Sequence, residues 1–246
     1  MRLSQDELNK ILEEHKIYLE SFGTRGTKAN LVEADLSELD LSYADLRSAN
    51  LRYANLSYAD LRSANLRYAN LSYADLRSAN LRYADLSYAD LSYANLSSAD
   101  LSYANLSSAN LRSANLRYAD LRSANLRYAD LSYADLSYAD LRSANLSYAN
   151  LSSANLSSAN LSSANLPEAT FIIMGEYYSI IICNGEYVRA GCQNHSVEEW
   201  FKFSKDDVLQ MDGRSAMRFY PRLLDIIDFY IPSEEKRVRP EWMTKE

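Results

Sequence analysis

A strict five-residue period constrains this chain more than any other feature of its sequence. A leucine stands at every fifth position from Leu31 to Leu166, 28 in all, and Phe171 takes the next place. An α-helix would turn each leucine by about 140° from the last, and a flat strand would put alternate leucines on opposite faces. Neither leaves one buried stripe, so the period predicts a solenoid whose short sides turn corners and keep every leucine inward.

The other positions of the unit fit the same coil. The unit reads Ala-(Asp/Asn)-Leu-X-X from Ala29 to Thr170 with few departures. We expect alanine, two residues before leucine, to share the interior because it is small and apolar. The Asp/Asn position and the two X positions are expected to face water.

These repeats resemble a known family. Residues 44–48, Ala-Asp-Leu-Arg-Ser, and residues 49–53, Ala-Asn-Leu-Arg-Tyr, are similar to the A(D/N)LXX motif of pentapeptide-repeat proteins, and the likeness covers residues 29–171. The resemblance implies an all-β solenoid, a right-handed quadrilateral β-helix with four repeats in each coil. It would then have about seven coils and, at ~4.8 Å per coil, a length of roughly 34 Å.

The X positions use a very small alphabet. From Ser42 to Ser162 the residue after leucine is only Ser or Arg, and from Tyr43 to Ser163 the next is only Tyr or Ser. Residues 46–60 and 61–75 are identical. Because surface positions are usually constrained weakly, we expect drift to have scattered them. The pattern indicates a consensus-designed, synthetic array between natural-looking ends, with a recently duplicated natural gene as the alternative.

Residues 1–28 are predicted to form an N-terminal helical cap. Ser4 and Glu7 have the spacing of a capping box, and Gly23 and Gly26 are placed to end the helix and lead into the first coil. His15 is expected on the surface or at the edge of the cap. The apolar residues at helical spacing are Leu8, Ile11, Leu12, Tyr18 and Leu19.

Residues 172–246 are predicted to form a C-terminal cap that begins with a β-hairpin. The runs 170–174 and 177–183 are apolar and rich in β-branched residues, and Asn184-Gly185 suits a tight turn before residues 186–190. This strand-turn-strand could pair with the last coil.

Helices are predicted to complete that cap. Ser196 and Ser204 each begin a capping box, and residues 211–213 should end the second of these helices. A further amphipathic helix is expected over residues 215–230, where Pro221 should kink the helix or begin it anew. Residues 233–246 are predicted to be a frayed tail.

Three residues of the C-terminal segment carry chemistry that a site could use. Cys192 and His195 are three apart, and Cys183 could add a third ligand. A closed zinc site needs four ligands, and a Cys/His hydrolase needs a separate base with an orienting partner. Neither set can be placed, so these residues are interpreted as packing residues. We expect no catalytic, cofactor-binding or metal site.

Charge and composition limit the kinds of partner that the chain could bind. The net charge of −7 is divided as zero over residues 1–28, −4 over residues 29–170 and −3 over residues 171–246. No part is a basic nucleic-acid surface, and no apolar stretch is long enough to span a membrane. With no signal-peptide pattern and only two cysteines, a cytoplasmic, reduced protein is expected.

The sequence therefore predicts a structural scaffold that is not an enzyme, needs no cofactor or partner, and could self-associate through the solenoid ends or edges. The resemblance also offers an alternative, a mimic of duplex DNA that binds DNA gyrase. A third possibility is partner binding through the C-terminal cap. A mimic needs about one negative charge per ~1.7 Å, or roughly 20 over this length. The array's net charge of −4 argues against gyrase.

Overall fold

The computed structural model describes residues 2–173, 175–178, 180–233 and 237–243. The chain divides into two compact units, Met1–Pro167 and Glu168–Glu246. None of the helices in these described ranges combines the length and hydropathy that a membrane span requires.

The first unit is built from coils of 20 residues. Each Asp/Asn position forms a parallel bridge with the Asp/Asn position 20 residues later, as in Asn30 with Asn50 and Asp35 with Asn55. Four repeats therefore make one coil, and the 28 leucines fill seven coils. This confirms the predicted four-sided coil.

Backbone hydrogen bonds hold each coil to the next along all four sides. The Leu31 N–H donates to the Asn50 carbonyl at 2.7 Å, and the Glu33 N–H donates to the Arg52 carbonyl at 3.0 Å. The Asn50 N–H donates in the opposite direction, to the Ala29 carbonyl at 3.0 Å. The same pattern recurs down the array, so each repeat depends only on the coils above and below it.

A tight turn closes every repeat. The alanine N–H donates to the carbonyl of the leucine three residues earlier, as from Ala54 to Leu51 at 3.0 Å. The second X residue, third in the turn, is left-handed throughout the array, with φ of 59° at Tyr53 and 55° at Ser63. A type II turn needs that sign of φ and usually uses glycine there. Here Tyr and Ser accept the left-handed backbone instead.

Leucine and alanine form the interior, as predicted. Every leucine of the register from Leu31 to Leu156 is at most 3 % exposed, and every alanine from Ala49 to Ala154 is at most 1 % exposed. Leu161 and Leu166, in the last coil, are only half-buried. Each buried leucine contributes on the order of 2 kcal/mol before conformational entropy is subtracted.

The predicted N-terminal helix, α1 (Gln5–Glu20), is confirmed, and its capping box forms between Ser4 and Glu7. The Gln5 side-chain amide bonds the backbone edge of the first coil in the way that a neighbouring strand would. Its Nε2 donates to the Asp40 carbonyl at 2.8 Å, and its Oε1 accepts from the Asp40 N–H at 3.0 Å. The Leu3 N–H donates to the Asp35 carbonyl at 3.0 Å. These bonds satisfy edge groups that have no preceding coil.

Two details at this end differ from the sequence prediction. His15 is fully buried rather than on the surface, and its Nδ1 accepts from the Ala29 N–H at 3.1 Å. The first left-handed residue after α1 is Phe22, with φ of 54°, and not Gly23. Gly26 is required for space as well as for its φ of 68°, because a Cβ there would lie 2.4 Å from the Glu14 carbonyl oxygen.

The second unit contains a four-stranded antiparallel sheet in the order β1 (Phe171–Ile173), β2 (Ile180–Cys183), β3 (Tyr187–Ala190) and β4 (Gln193–Ser196). The predicted turn at Asn184-Gly185 joins β2 to β3, and both of its residues have positive φ. The fourth strand was not predicted, because its residues are polar and do not alternate with apolar ones.

Two helices follow the sheet, α2 (Val197–Trp200) and α3 (Lys205–Tyr230), and both predicted capping boxes are present. The predicted interruption occurs at Asp212 and Gly213, which have non-helical torsions inside α3. Of the two predicted effects of Pro221, a new start of the helix is wrong, because the only non-helical torsions inside α3 are those two, and a kink at Pro221 stays a prediction. Sheet and helices enclose a core of their own that includes Ile182, Val188, Trp200, Leu224 and Ile227.

The predicted frayed tail is wrong for residues 237–243. Arg239 Nη2 lies 2.7 Å from Asp228 and 3.0 Å from Asp225. Trp242, in a short 3₁₀ turn at Glu241–Met243, donates its indole N–H to the Phe203 carbonyl at 2.9 Å. These contacts fasten the end of the chain to α3 and to the segment before it. Residues 234–236 and 244–246 lie outside the described residues.

Candidate functional surface

The Asp/Asn position stabilises the corner of each coil. Its side-chain oxygen accepts the backbone N–H two residues later, at 2.9 Å from Ser42 to Asp40 and from Ser72 to Asn70. Asp and Asn side chains form this bond to their own backbone more strongly than Ser and Thr do. The turn therefore favours these two residues at this position.

The same side chains also interact between coils. Where an aspartate is not bound by an arginine two residues later, the asparagine that lies over it donates its amide to the carboxylate 20 residues earlier, at 3.0 Å from Asn55 to Asp35 and 3.1 Å from Asn105 to Asp85. Further pairs of this kind are Asn110 with Asp90, Asn150 with Asp130, and Asn155 with Asp135. The amide group offsets the charge of the carboxylate below it.

Aspartate stacks directly on aspartate in only one of the four columns. The bridged pairs are Asp40 with Asp60, Asp100 with Asp120, and Asp120 with Asp140. Such carboxylates repel at the ~4.8 Å spacing of adjacent strands. Arginines two residues after Asp60, Asp120 and Asp140 bind these carboxylates through two nitrogens, at 2.5–2.9 Å in the case of Arg122. Neighbouring arginines thus offset the charge of these stacked carboxylates.

These bonds shift the titration of the aspartates. The Arg62 guanidinium holds the pKa of Asp60 below its usual range, and Arg142 does the same for the pKa of Asp140. The paired carboxylates stay ionised and paired well below neutral pH.

The partner of each arginine depends on the residue two places before it. After aspartate, the guanidinium turns back onto that carboxylate, as Arg47, Arg62, Arg77, Arg122 and Arg142 do. After asparagine it lies against a tyrosine ring, in its own repeat, in the next coil, or in both. The arginines of this second group are Arg52, Arg67, Arg82, Arg112, Arg117 and Arg127.

Tyrosines that are 20 residues apart stack as ladders. Tyr53, Tyr73 and Tyr93 form the longest ladder, with ring centroids 5.0 and 4.9 Å apart. Shorter ladders join Tyr68 to Tyr88 and Tyr83 to Tyr103. Each ring uses one or both faces on its neighbours, so its edge and hydroxyl are the parts most open to solvent.

Not every outer position faces water, and this corrects the sequence prediction. Six serines that directly follow leucine are buried, and each precedes a tyrosine. They are Ser57, Ser72, Ser87, Ser102, Ser132 and Ser137, between 2 and 7 % exposed. The outer positions are therefore constrained by burial, by hydrogen bonding and by their backbone, and a small alphabet there does not by itself require design.

The three candidate residues of the C-terminal unit lie in different surroundings. Cys183 is buried in β2, and burial raises the pKa of its thiol to about 12, whereas Cys192 is exposed. His195 packs against the rings of Trp200 and Phe203 at 5.1 and 4.7 Å. The described ranges hold no group of three or more His, Cys, Asp or Glu placed to bind a metal.

Comparison with known proteins shows that the array matches a protein-family model. The sequence pattern of the family described as Pentapeptide repeats matches eight copies, over residues 29–67, 59–97, 89–127, 104–141 and 134–171. These matches span more than half of the chain. No curated protein matches the sequence.

Several solved structures are similar to the chain. HetL, a pentapeptide repeat protein involved in heterocyst differentiation regulation from the cyanobacterium Nostoc sp. strain PCC 7120, is 39 % identical, with 58 % of this chain and 76 % of that chain covered and a TM-score of 0.40. A second Nostoc PCC 7120 pentapeptide repeat protein is 40 % identical, with coverage of 44 % and 74 % and a TM-score of 0.35. QnrB1, a plasmid-mediated fluoroquinolone resistance protein, is 20 % identical, with coverage of 58 % and 79 % and a TM-score of 0.45.

Proposed function

Because the chain belongs to the pentapeptide-repeat family through residues 29–171, we propose that it is a structural scaffold, a rigid rod with no catalytic activity. The observation that carries the proposal is the partnering of the array's arginines. Each of the eleven lies against a carboxylate or a tyrosine ring of the array itself, as Arg62 does with Asp60 and Arg52 with Tyr53. The arginine groups that a binding surface would offer to a partner are engaged with other side chains of the rod.

The uniformity of the array supports the same proposal. Any coil offers the next one the same leucine and alanine interior and the same backbone edge, so length can change without a change in packing. We include a consensus-designed origin, with a recently duplicated natural gene as the alternative, because blocks 46–60 and 61–75 are identical. A cytoplasmic location is part of this proposal as well.

A DNA mimic that acts on gyrase is the alternative, and the charge pattern argues against it. Five of the twelve array aspartates are paired with the arginine two residues later. The remaining seven are spread over all four columns rather than aligned on one. A mimic would need roughly 20 uncompensated charges over ~34 Å.

A gyrase supercoiling assay separates the two proposals. The purified full chain should leave supercoiling unchanged at micromolar concentration and should not relieve inhibition by a fluoroquinolone. The sharpest comparison is a variant in which Arg47, Arg62, Arg77, Arg122 and Arg142 become Gln, which frees five aspartates. The scaffold proposal would be wrong, and the DNA mimic favoured, if the parent inhibited or protected gyrase at sub-micromolar concentration and the variant did so more strongly.

A further inference from the structure

The C-terminal unit contains a cavity of about 160 Å³ between its sheet and α3. A cavity of roughly 150 Å³ with apolar walls is large enough to hold one benzene ring. Apolar and aromatic side chains make most of its wall, namely Ala190, Trp200, Val208, Met211, Phe219 and Leu223.

Hydrogen bonds fix the aromatic walls of this cavity. The indole N–H of Trp200 donates to the Val188 carbonyl at 2.8 Å, which ties the ring to β3. The buried Tyr220 hydroxyl donates to the carbonyl of Trp200. Since both rings are held by buried bonds, they cannot move together to fill the space, and the cavity is formed in advance of any ligand.

A carboxylate lies at the mouth of the cavity. Asp212 is exposed, lines the cavity, and accepts a hydrogen bond from the Tyr178 hydroxyl. Among the described residues, it is in no salt bridge. Its position depends on the interruption of α3, where Gly213 adopts φ 54° and ψ −133°, torsions open essentially to glycine alone.

We propose that this cavity binds a small organic ammonium ion whose apolar body has the size of one aromatic ring. The body would enter among Trp200, Phe219 and Leu223, and the ammonium group would remain at the mouth beside Asp212. A cation is favoured over an anion because the mouth carries a carboxylate, and because aromatic faces attract cations. The wall offers an anion no arginine, lysine or histidine.

The test is titration of the full chain with phenethylammonium, followed by calorimetry and by tryptophan fluorescence, to which Trp200 in the cavity wall contributes. Phenethyl alcohol, which has the same body and no charge, is the matched neutral probe. We expect saturable binding of the ammonium ion at one site per chain, and weaker binding of the alcohol. Absence of saturable binding up to millimolar concentration would overturn the proposal.

Three variants locate the site. Asp212→Asn should weaken binding of the ammonium ion about fivefold, which corresponds to about 1 kcal/mol for an exposed ion pair. The same change should alter the affinity for the alcohol less than twofold. Asp206→Asn, the same change in the exposed first turn of α3, should leave the affinity for both probes unchanged. Ala216→Phe should fill the cavity and abolish binding of both probes.

Folding of each variant is measured separately, so that a loss of binding is not confused with unfolding. Each variant is first checked for the parent's Trp fluorescence and cooperative melting. If Ala216→Phe does not fold, Ala216→Met, which fills less of the space, serves in its place. Binding that survives a folded cavity-filling variant, or a preference for the ammonium ion that survives Asp212→Asn, would contradict the assigned site.

Discussion

Replacing Leu101 by alanine should destabilise the array more than the same change at Leu161. Leu101 is 0 % exposed in the middle of the leucine register, whereas Leu161, in the last coil, is half-buried. Truncation of a fully buried leucine removes its burial and leaves a cavity, at a cost of about 3–4 kcal/mol. Truncation of a half-buried leucine near the end of the register removes less buried area, and the surrounding side chains relax more easily. Leu161→Ala should therefore destabilise the array by about 1–2 kcal/mol.

Urea unfolding can follow the two units separately. Both tryptophans, Trp200 and Trp242, lie in the C-terminal unit, so their fluorescence reports that unit alone. Amide circular dichroism contains signal from both units, and the part that does not follow the tryptophan transition reports the repeat array. Leu101→Ala should lower the urea midpoint seen by circular dichroism and leave the tryptophan transition in place.

Two results would refute this reasoning. Equal losses for Leu101→Ala and Leu161→Ala would mean that the middle of the array is no better packed than its end. A matching shift of the tryptophan transition would mean that the two units unfold as one, contrary to their separate cores.

Three other perturbations have expected outcomes. Gly26→Ala should cost several kcal/mol and lower the array's melting temperature, since its Cβ would overlap the α1 backbone; an unchanged melting temperature would contradict the contact. Burial lowers the pKa of His15, so array stability should fall as pH drops below about 6.5, the unfolded value. His15→Gln should remove that slope in urea midpoints measured from pH 7 to 5, and an unchanged slope would contradict the assignment. Removing residues 167–246 should cause end-to-end association on a sizing column if the C-terminal unit caps the rod, whereas a monomer with unchanged melting would show that it does not.

Periodicity was enough to predict the array. The leucine register fixes the inward position, and the Asp/Asn position is explained by a local bond to its own backbone, so both could be inferred from spacing. Ser4, Ser196 and Ser204 began helices as predicted because capping boxes are local. Each of these features depends on residues that are close in sequence.

The features that sequence missed depend on contacts between residues distant in sequence. His15 is buried because an N–H of the first coil, that of Ala29, needs an acceptor, and nothing around His15 in sequence indicates that bond. The two environments of arginine do have a local signal, the Asp or Asn two places earlier, but its meaning appears only when tyrosines 20 residues apart are seen to stack. The cavity beside Asp212 depends on how the sheet meets α3, which no local pattern encodes.

The most direct test of the account is a pair of deletions in the array. Deleting residues 106–125 removes one 20-residue coil and keeps every column aligned, whereas deleting residues 121–125 shifts everything downstream by one side of the coil. Because all four sides present the same leucine, alanine and backbone bonds, we expect both variants to fold and to melt cooperatively, at a temperature slightly below that of the parent. A folded 20-residue deletion beside an unfolded five-residue deletion would show that the sides are not interchangeable, and would contradict a scaffold built from local contacts alone.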